Sequence, residues 1–125
     1  MSAKNTLETL ENVRENISNS LTEGVKNRKS DFRTFTFCTS GKFHTGRTVV
    51  LRGYNSENGI LTLHSNYHAD KIKDLNINPN VCCVFYSKGM KIQIRCFGQA
   101  VVNYDNDRSS DAWANMSDMS KAVSY

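Results

Sequence analysis

The eight residues Gly46-Arg47-Thr48-Val49-Val50-Leu51-Arg52-Gly53 constrain this chain more than any other stretch. Three successive branched apolar residues favour an extended strand covered on both faces. A cation stands at either end of the apolar run, with a glycine beyond each cation. Charge that close to a core needs an anionic partner, because an unpaired buried cation is costly. That partner is a protein carboxylate or a bound phosphate. Standing alone, the segment reads first as a core strand whose arginines snorkel to solvent. The segments downstream, Ser65 to Lys71 and Lys91 to Gly98, give it company.

A length of 125 residues supports one domain with a single modest core. The balance of 16 basic and 12 acidic residues gives +4, spread along the chain. That suits a phosphate-bearing ligand but is a poor footprint for nucleic acid. A nucleic-acid barrel would interleave basic residues with exposed aromatics, whereas Phe35, Phe37, Phe85 and Tyr86 fall in apolar strand patterns. Cys38, Cys82, Cys83 and Cys96 lack metal-ligand spacing and read as reduced thiols, with Cys82 and Cys83 on opposite faces of one strand. His44, His64 and His68 are not spaced as a ligand set, so no metal is expected. No apolar run approaches the ~20 residues of a membrane span and no leader pattern opens the chain, which predicts a soluble cytoplasmic protein without membrane or nucleic-acid partners.

From Thr6 to about Asn27, Leu7, Leu10, Val13, Ile17, Leu21 and Val25 form one stripe of an amphipathic helix, predicted to cover the strands that follow. Phe35 and Phe37 alternate with threonines, and the cluster 39–42 turns the chain into the Arg47 strand. Asn58-Gly59 closes a second turn before Ile60 to His64, which predicts a meander of the first three strands. Asp70 to Asn78 reads as a short helix stopped by Pro79. Strands are expected over Val81 to Tyr86 and from Met90 to about Tyr104, with Gly98 marking a bulge. Ala112, Trp113, Met116 and Met119 stand at helical spacing, so residues 109–125 are predicted to be helical. The sum is a mainly β chain with flanking helices, an antiparallel barrel over about 31–104.

A helix that follows directly on a strand leaves its first N–H groups without partners, so the loop from Ser65 to Asp70 is a natural seat for phosphate. Ser65 or Asn66 could add hydrogen bonds, and Lys71 with Arg47 would make a two-cation clamp. The plainer reading is that Ser65 or Asn66 only caps the helix and Lys71 is solvated. Gln93 offers both a donor and an acceptor, which suits a heterocycle with a mixed edge as well as it suits a sheet surface.

In order and separation, Arg47 to Arg52, Ser65 to Lys71, Asn78-Pro79 and Gln93-Ile94-Arg95 with Gly98 resemble the pyridoxamine 5'-phosphate oxidase-like, FMN-binding split barrels, over Phe32 to about Tyr104. The resemblance implies an antiparallel split β-barrel with FMN in a groove at a homodimer interface. It implies that Arg47, Lys71 and the Ser65 loop, with His64 and His68 beside it, hold the phosphate. The main chain of Thr48, Val49, Val50, Leu51 and Arg52 would follow the flavin ring, and Gln93 would bond its polar edge. It further implies an oxidoreductase acting on a small molecule, with Arg52 the one candidate for substrate contact and no catalytic residue assigned; the alternative is a non-catalytic flavin- or haem-handling protein.

Two departures from the family pattern carry expectations. Where the family often has Arg-Ser-x-Lys, this chain has His68-Ala69-Asp70-Lys71, which predicts weaker FMN affinity. The family usually continues with further strands and a segment that touches flavin across the dimer. Ending at Tyr125, the chain is expected to be a minimal or an incomplete member, and residues 111–125 hold no match to the substrate-phosphate ligands of true pyridoxamine phosphate oxidases.

Overall fold

A computed structural model describes the backbone of residues 3–65, 70–105 and 109–123 and the side chains of residues 11–64 and 73–102. The chain runs α1 (Ala3–Lys26), β1 (Thr34–Ser40), β2 (His44–Val50), β3 (Gly53–Asn55), β4 (Ile60–Ser65), α2 (Asp70–Ile77), β5 (Asn80–Ser87), β6 (Ile92–Asp105) and β7 (Ser109–Val123). The strands form one antiparallel sheet in the order β2-β1-β5-β6-β7-β4-β3.

That order fixes the shape. β2 and β3 stand at opposite ends of a seven-stranded sheet, which laid flat would separate them by roughly 29 Å. Only Leu51 and Arg52 join them, and a link that short reaches roughly 11 Å at full extension. The sheet must curl until its two ends meet. They are tied there by the Leu51 N–H to the Arg33 carbonyl at 2.8 Å and the Arg52 N–H to the Thr62 carbonyl at 2.9 Å. The result is the split barrel expected from the sequence.

The core lies inside the curl. Phe35, Phe37, Val49, Leu51, Leu61, Leu63, Val81, Cys83, Phe85, Ile92, Ile94 and Cys96 alternate inward and are buried. Phe35 stacks on Phe85 with centroids 4.7 Å apart, and Phe37 meets Phe35 edge-on at 6.4 Å. Ile17 and Leu21 of α1 cover the barrel, with Val13 and Val25 partly buried beside them. Tyr54 donates to Ser18 across that contact at 3.3 Å. Among the described residues of α2, Leu75 is buried, whereas Ile77 is 68% exposed. Arg33 donates to the Val25 carbonyl at 2.6 Å and so satisfies one of the last carbonyls of α1.

Several expectations need correction. Residues 109–123 form β7, not a helix. β7 pairs with β6 on one side and β4 on the other. A helix there would leave two strand edges open, and that ladder outweighs the spacing of four apolar residues. The described strands number seven rather than five. The three-strand meander fails, because β2 pairs with β1 and β3 with β4 but β2 and β3 end the sheet. β2 is an edge strand with a largely exposed face, not a strand covered on both sides. Met90 lies in the turn before β6 and is exposed. The bulge does fall at Phe97/Gly98, and Gly59 closes its turn at φ 68°.

All four cysteines are free. Burial, reinforced by Cys96, Cys82 and Cys38, pushes the Cys83 thiol well above its ordinary range, and burial beside Cys82 pushes Cys96 up to about 12. Both should therefore resist iodoacetamide at mildly alkaline pH in the folded protein, and mass spectrometry showing either alkylated before unfolding would contradict this packing.

Gly24 gives a sharper test. In an exposed helix, alanine is favoured over glycine by about 1 kcal/mol. Here an added Cβ would overlap the Phe32 carbonyl where the chain folds back beneath α1. Gly24→Ala should lower stability by about 1–2 kcal/mol in urea unfolding, since the overlap exceeds the propensity gain. A raised midpoint would show that the last turn of α1 stands clear of Phe32.

Candidate functional site

Residues opposite one another in an antiparallel ladder share a face. Arg47 stands opposite Phe37, so it leaves the edge strand on the core side. A guanidinium cannot enter an apolar interior unpaired. It lies instead over the end of the barrel, where α2 packs against β1.

Arg47 is held on three sides. Nη1 donates to the Phe37 carbonyl at 3.0 Å and to Thr39 Oγ1 at 2.8 Å, and Nη2 donates to Thr45 Oγ1 at 2.6 Å. Both hydroxyls pass the charge on. Thr39 donates to Asp74 Oδ2 at 2.9 Å and Thr45 to the same oxygen at 3.0 Å. Asp74 Oδ2 is 3.8 Å from Arg47 Nη2, an ion pair rather than a direct hydrogen bond. A Cβ on Gly41 would overlap the Asp74 carboxylate, so glycine at that turn makes room for it. The anion required by the sequence of β2 is, within the protein, Asp74.

The second part of the site is a slot. Because the Leu51 N–H points to β1, the backbone groups of Val50 and Thr48 point the other way, off the sheet edge. On the far side stands the last part of β4. β3 covers β4 only up to Thr62, and the His64 backbone points to the same side as Thr62. β2 and β4 approach one another without a ladder. Beyond the Arg52–Thr62 bond no ladder joins β2 to β4, so the outward backbone groups of β2 line one side of a slot and β4 the other, and β4 runs on to Ser65, shortly before α2 begins.

Of the expected residues, Arg47 to Arg52 lie on β2 and the link that follows it, and His64 lies on β4. Thr48 is exposed and Val50 half-buried on the outer face, Val49 and Leu51 are core residues, and the Arg52 side chain is exposed. His64 is exposed on β4, and the Ser65 backbone pairs with Ser110. Lys71 belongs to the first turn of α2, one turn before Asp74, so Arg47 and Lys71 meet the same helix. The side chains of Ser65 and Lys71, and all of His68, lie outside the described residues. Gln93 is not gathered. It stands opposite Tyr86 on the outer face of β6, three strands from β2 and two from β4, so roughly 10 Å from the nearer wall.

Thr39, Thr45 and Asp74 were not singled out by sequence reasoning. Thr39 was legible in one respect, since it continues the inward alternation of Phe35 and Phe37 and is only 2% exposed. Asp74 had no local signal, because 29 residues separate it from Thr45. A second feature is an open depression of about 370 Å³ on the β1–β5 side of the network, lined by Cys38, Ser40, His44 and Cys82 with both threonines. Among the described residues, no cluster of histidine, cysteine or carboxylate side chains could hold a metal. None of the described helices is long and apolar enough to cross a membrane.

Thr39→Val keeps the shape and removes the hydroxyl that links cation to carboxylate. It should cost about 1–3 kcal/mol in urea unfolding, while Thr36→Val on the outer face of the same strand should stay within about 0.5 kcal/mol. Equal effects would mean that the network does not hold α2 on the hairpin.

The same fold occurs in known proteins. A pyridoxamine 5'-phosphate oxidase-related, FMN-binding protein of Nostoc punctiforme superposes with a TM-score of 0.74 at 11% identity, over 88% of this chain and 84% of that one. PhzG of Burkholderia lata, crystallised with tetrahydrophenazine-1-carboxylic acid, gives 0.70 at 10% identity over 86% and 78%. HupZ of Group A Streptococcus gives 0.68 at 8% identity over 85% and 94%. At such identities these likenesses establish the fold. Comparison with curated protein sequences finds no match. The family profile described as pyridoxamine 5'-phosphate oxidase, FMN-binding domain, matches residues 11–104. With three quarters of its length matched, the chain belongs to the pyridoxamine 5'-phosphate oxidase FMN-binding domain family.

Proposed function

We propose that this chain binds FMN along the β2–β4 slot and works as a homodimeric oxidoreductase on a small molecule. The observation that supports the reading is an unladdered β2 edge close to β4 on a strand whose Arg47 guanidinium is held in place by the Phe37 carbonyl, Thr39 and Thr45.

The residues fit the cofactor. A flavin ring has a mixed donor and acceptor edge, and the outward N–H and C=O groups of Thr48 and Val50 offer both kinds of partner. The phosphate goes to Arg47, with Lys71 and the Ser65 loop. Three of the five guanidinium N–H groups make the bonds described, and among the described residues no hydrogen bond uses the other two. His64 and His68 flank the phosphate, and Arg52, exposed at the seam, faces the substrate side. FMN held there would supply two-electron redox chemistry, with a hydride and a proton leaving the substrate and dioxygen as the final acceptor, reduced to hydrogen peroxide.

Gln93 argues for the dimer. It cannot reach its own slot, but it sits on an outer face with Tyr86 and Phe97, both large and exposed. A second copy placed against that face would bring Gln93 to the flavin edge of its neighbour. Free thiols on both faces of β5 suit a reducing cytoplasm.

Flavin titration tests the proposal. The folded protein should bind FMN with micromolar or tighter affinity, and Arg47→Ala should weaken it about tenfold to a hundredfold, the worth of a charge-assisted bond. Unchanged affinity in that variant would remove Arg47 from the phosphate site, and a Soret band in place of flavin absorbance would favour haem.

A further inference from the structure

We propose that Asp74 is an internal competitor for Arg47, and that it sets how strongly the slot prefers a phosphorylated flavin over the same flavin without phosphate. The proposal rests on the flavin reading above and concerns its electrostatics.

The same guanidinium serves two anions. Asp74 holds it at 3.8 Å, with the two side chains 24% and 16% exposed, so solvent and salt screen the pair less than they would at the surface. The carboxylate cannot easily turn away. Thr39 and Thr45 both donate to Oδ2, and the Gly41 backbone closes on the carboxylate from the other side. A phosphate arriving at the remaining guanidinium N–H groups therefore meets a cation already paired with a carboxylate 3.8 Å away, a negative charge held close behind it. Like charges at such separations disfavour the dianion. Riboflavin, which carries no phosphate, feels neither the attraction nor the repulsion. Asp74 thus lowers the preference for FMN over riboflavin and keeps the cofactor exchangeable.

Asparagine separates this role from the structural one. Asp74→Asn preserves side-chain shape and leaves one carbonyl oxygen to accept from both threonines, while the charge disappears. We expect it to tighten FMN binding about tenfold and to change riboflavin binding less than about twofold. The gain should vanish in Arg47→Ala/Asp74→Asn, because competition needs the shared cation. Asp74→Ala serves the same purpose if the asparagine variant does not fold. Wild-type protein gives a test without any variant: its FMN-to-riboflavin preference should stay below about a hundredfold, and one above about a thousandfold would overturn the proposal. FMN affinity unchanged by Asp74→Asn, or both flavins tightened alike, would also overturn it. If folded wild-type protein binds neither flavin, the flavin reading itself fails and the competitor role falls with it.

Discussion

Everything in this molecule depends on a two-residue link. Leu51 and Arg52 carry the chain from one end of the sheet to the other, and their N–H groups bond to opposite sides, to Arg33 and to Thr62. Such a link excludes a flat sheet and forces the curl. The curl in turn gives the phenylalanines an inside, puts α1 against the barrel and brings β2 alongside β4. The slot follows from this closure, which sets β2 beside β4 without a ladder between them.

The polar end of the barrel follows from the same geometry. A strand that ends the sheet can carry an arginine on its inward face only where the barrel opens. Arg47 finds there two hydroxyls and a carboxylate from three separate elements. Each threonine accepts from the cation and donates to the anion, so the four side chains orient one another. This network joins α2 to the β1–β2 hairpin alongside the burial of Leu75 in the core.

Much of this was legible in the sequence, and the limits have physical reasons. Alternation in Phe35 and Phe37, the turn at Asn58-Gly59 and the stop at Pro79 are local signals, and the elements they imply are present. The bulge at Gly98 was equally local. The nature of 109–123 was not, because its strand form depends on the waiting edges of β4 and β6 rather than on its own residues. The meander failed for a related reason: nothing in residues 46–53 announces that one strand should be broken at Leu51 and shared between two ends of a sheet. In the site, the need of Arg47 for an anion could be read from its neighbours. Which anion could not, since Asp74 comes from a helix that only the closed fold brings near.

The stitching at Arg52 also bears on how the chain folds. Thr62 is only ten residues from Arg52, so this closure is a short-range event, whereas Thr36 must find Val84 across about half of the barrel's length. Loops of the first kind close early and pairings of the second kind set the pace. The approach of β2 to β4 can therefore take shape before the distant ladders have zipped, and on the flavin reading proposed above a ligand bound there early would act as a template for folding as well as a passenger of the finished barrel.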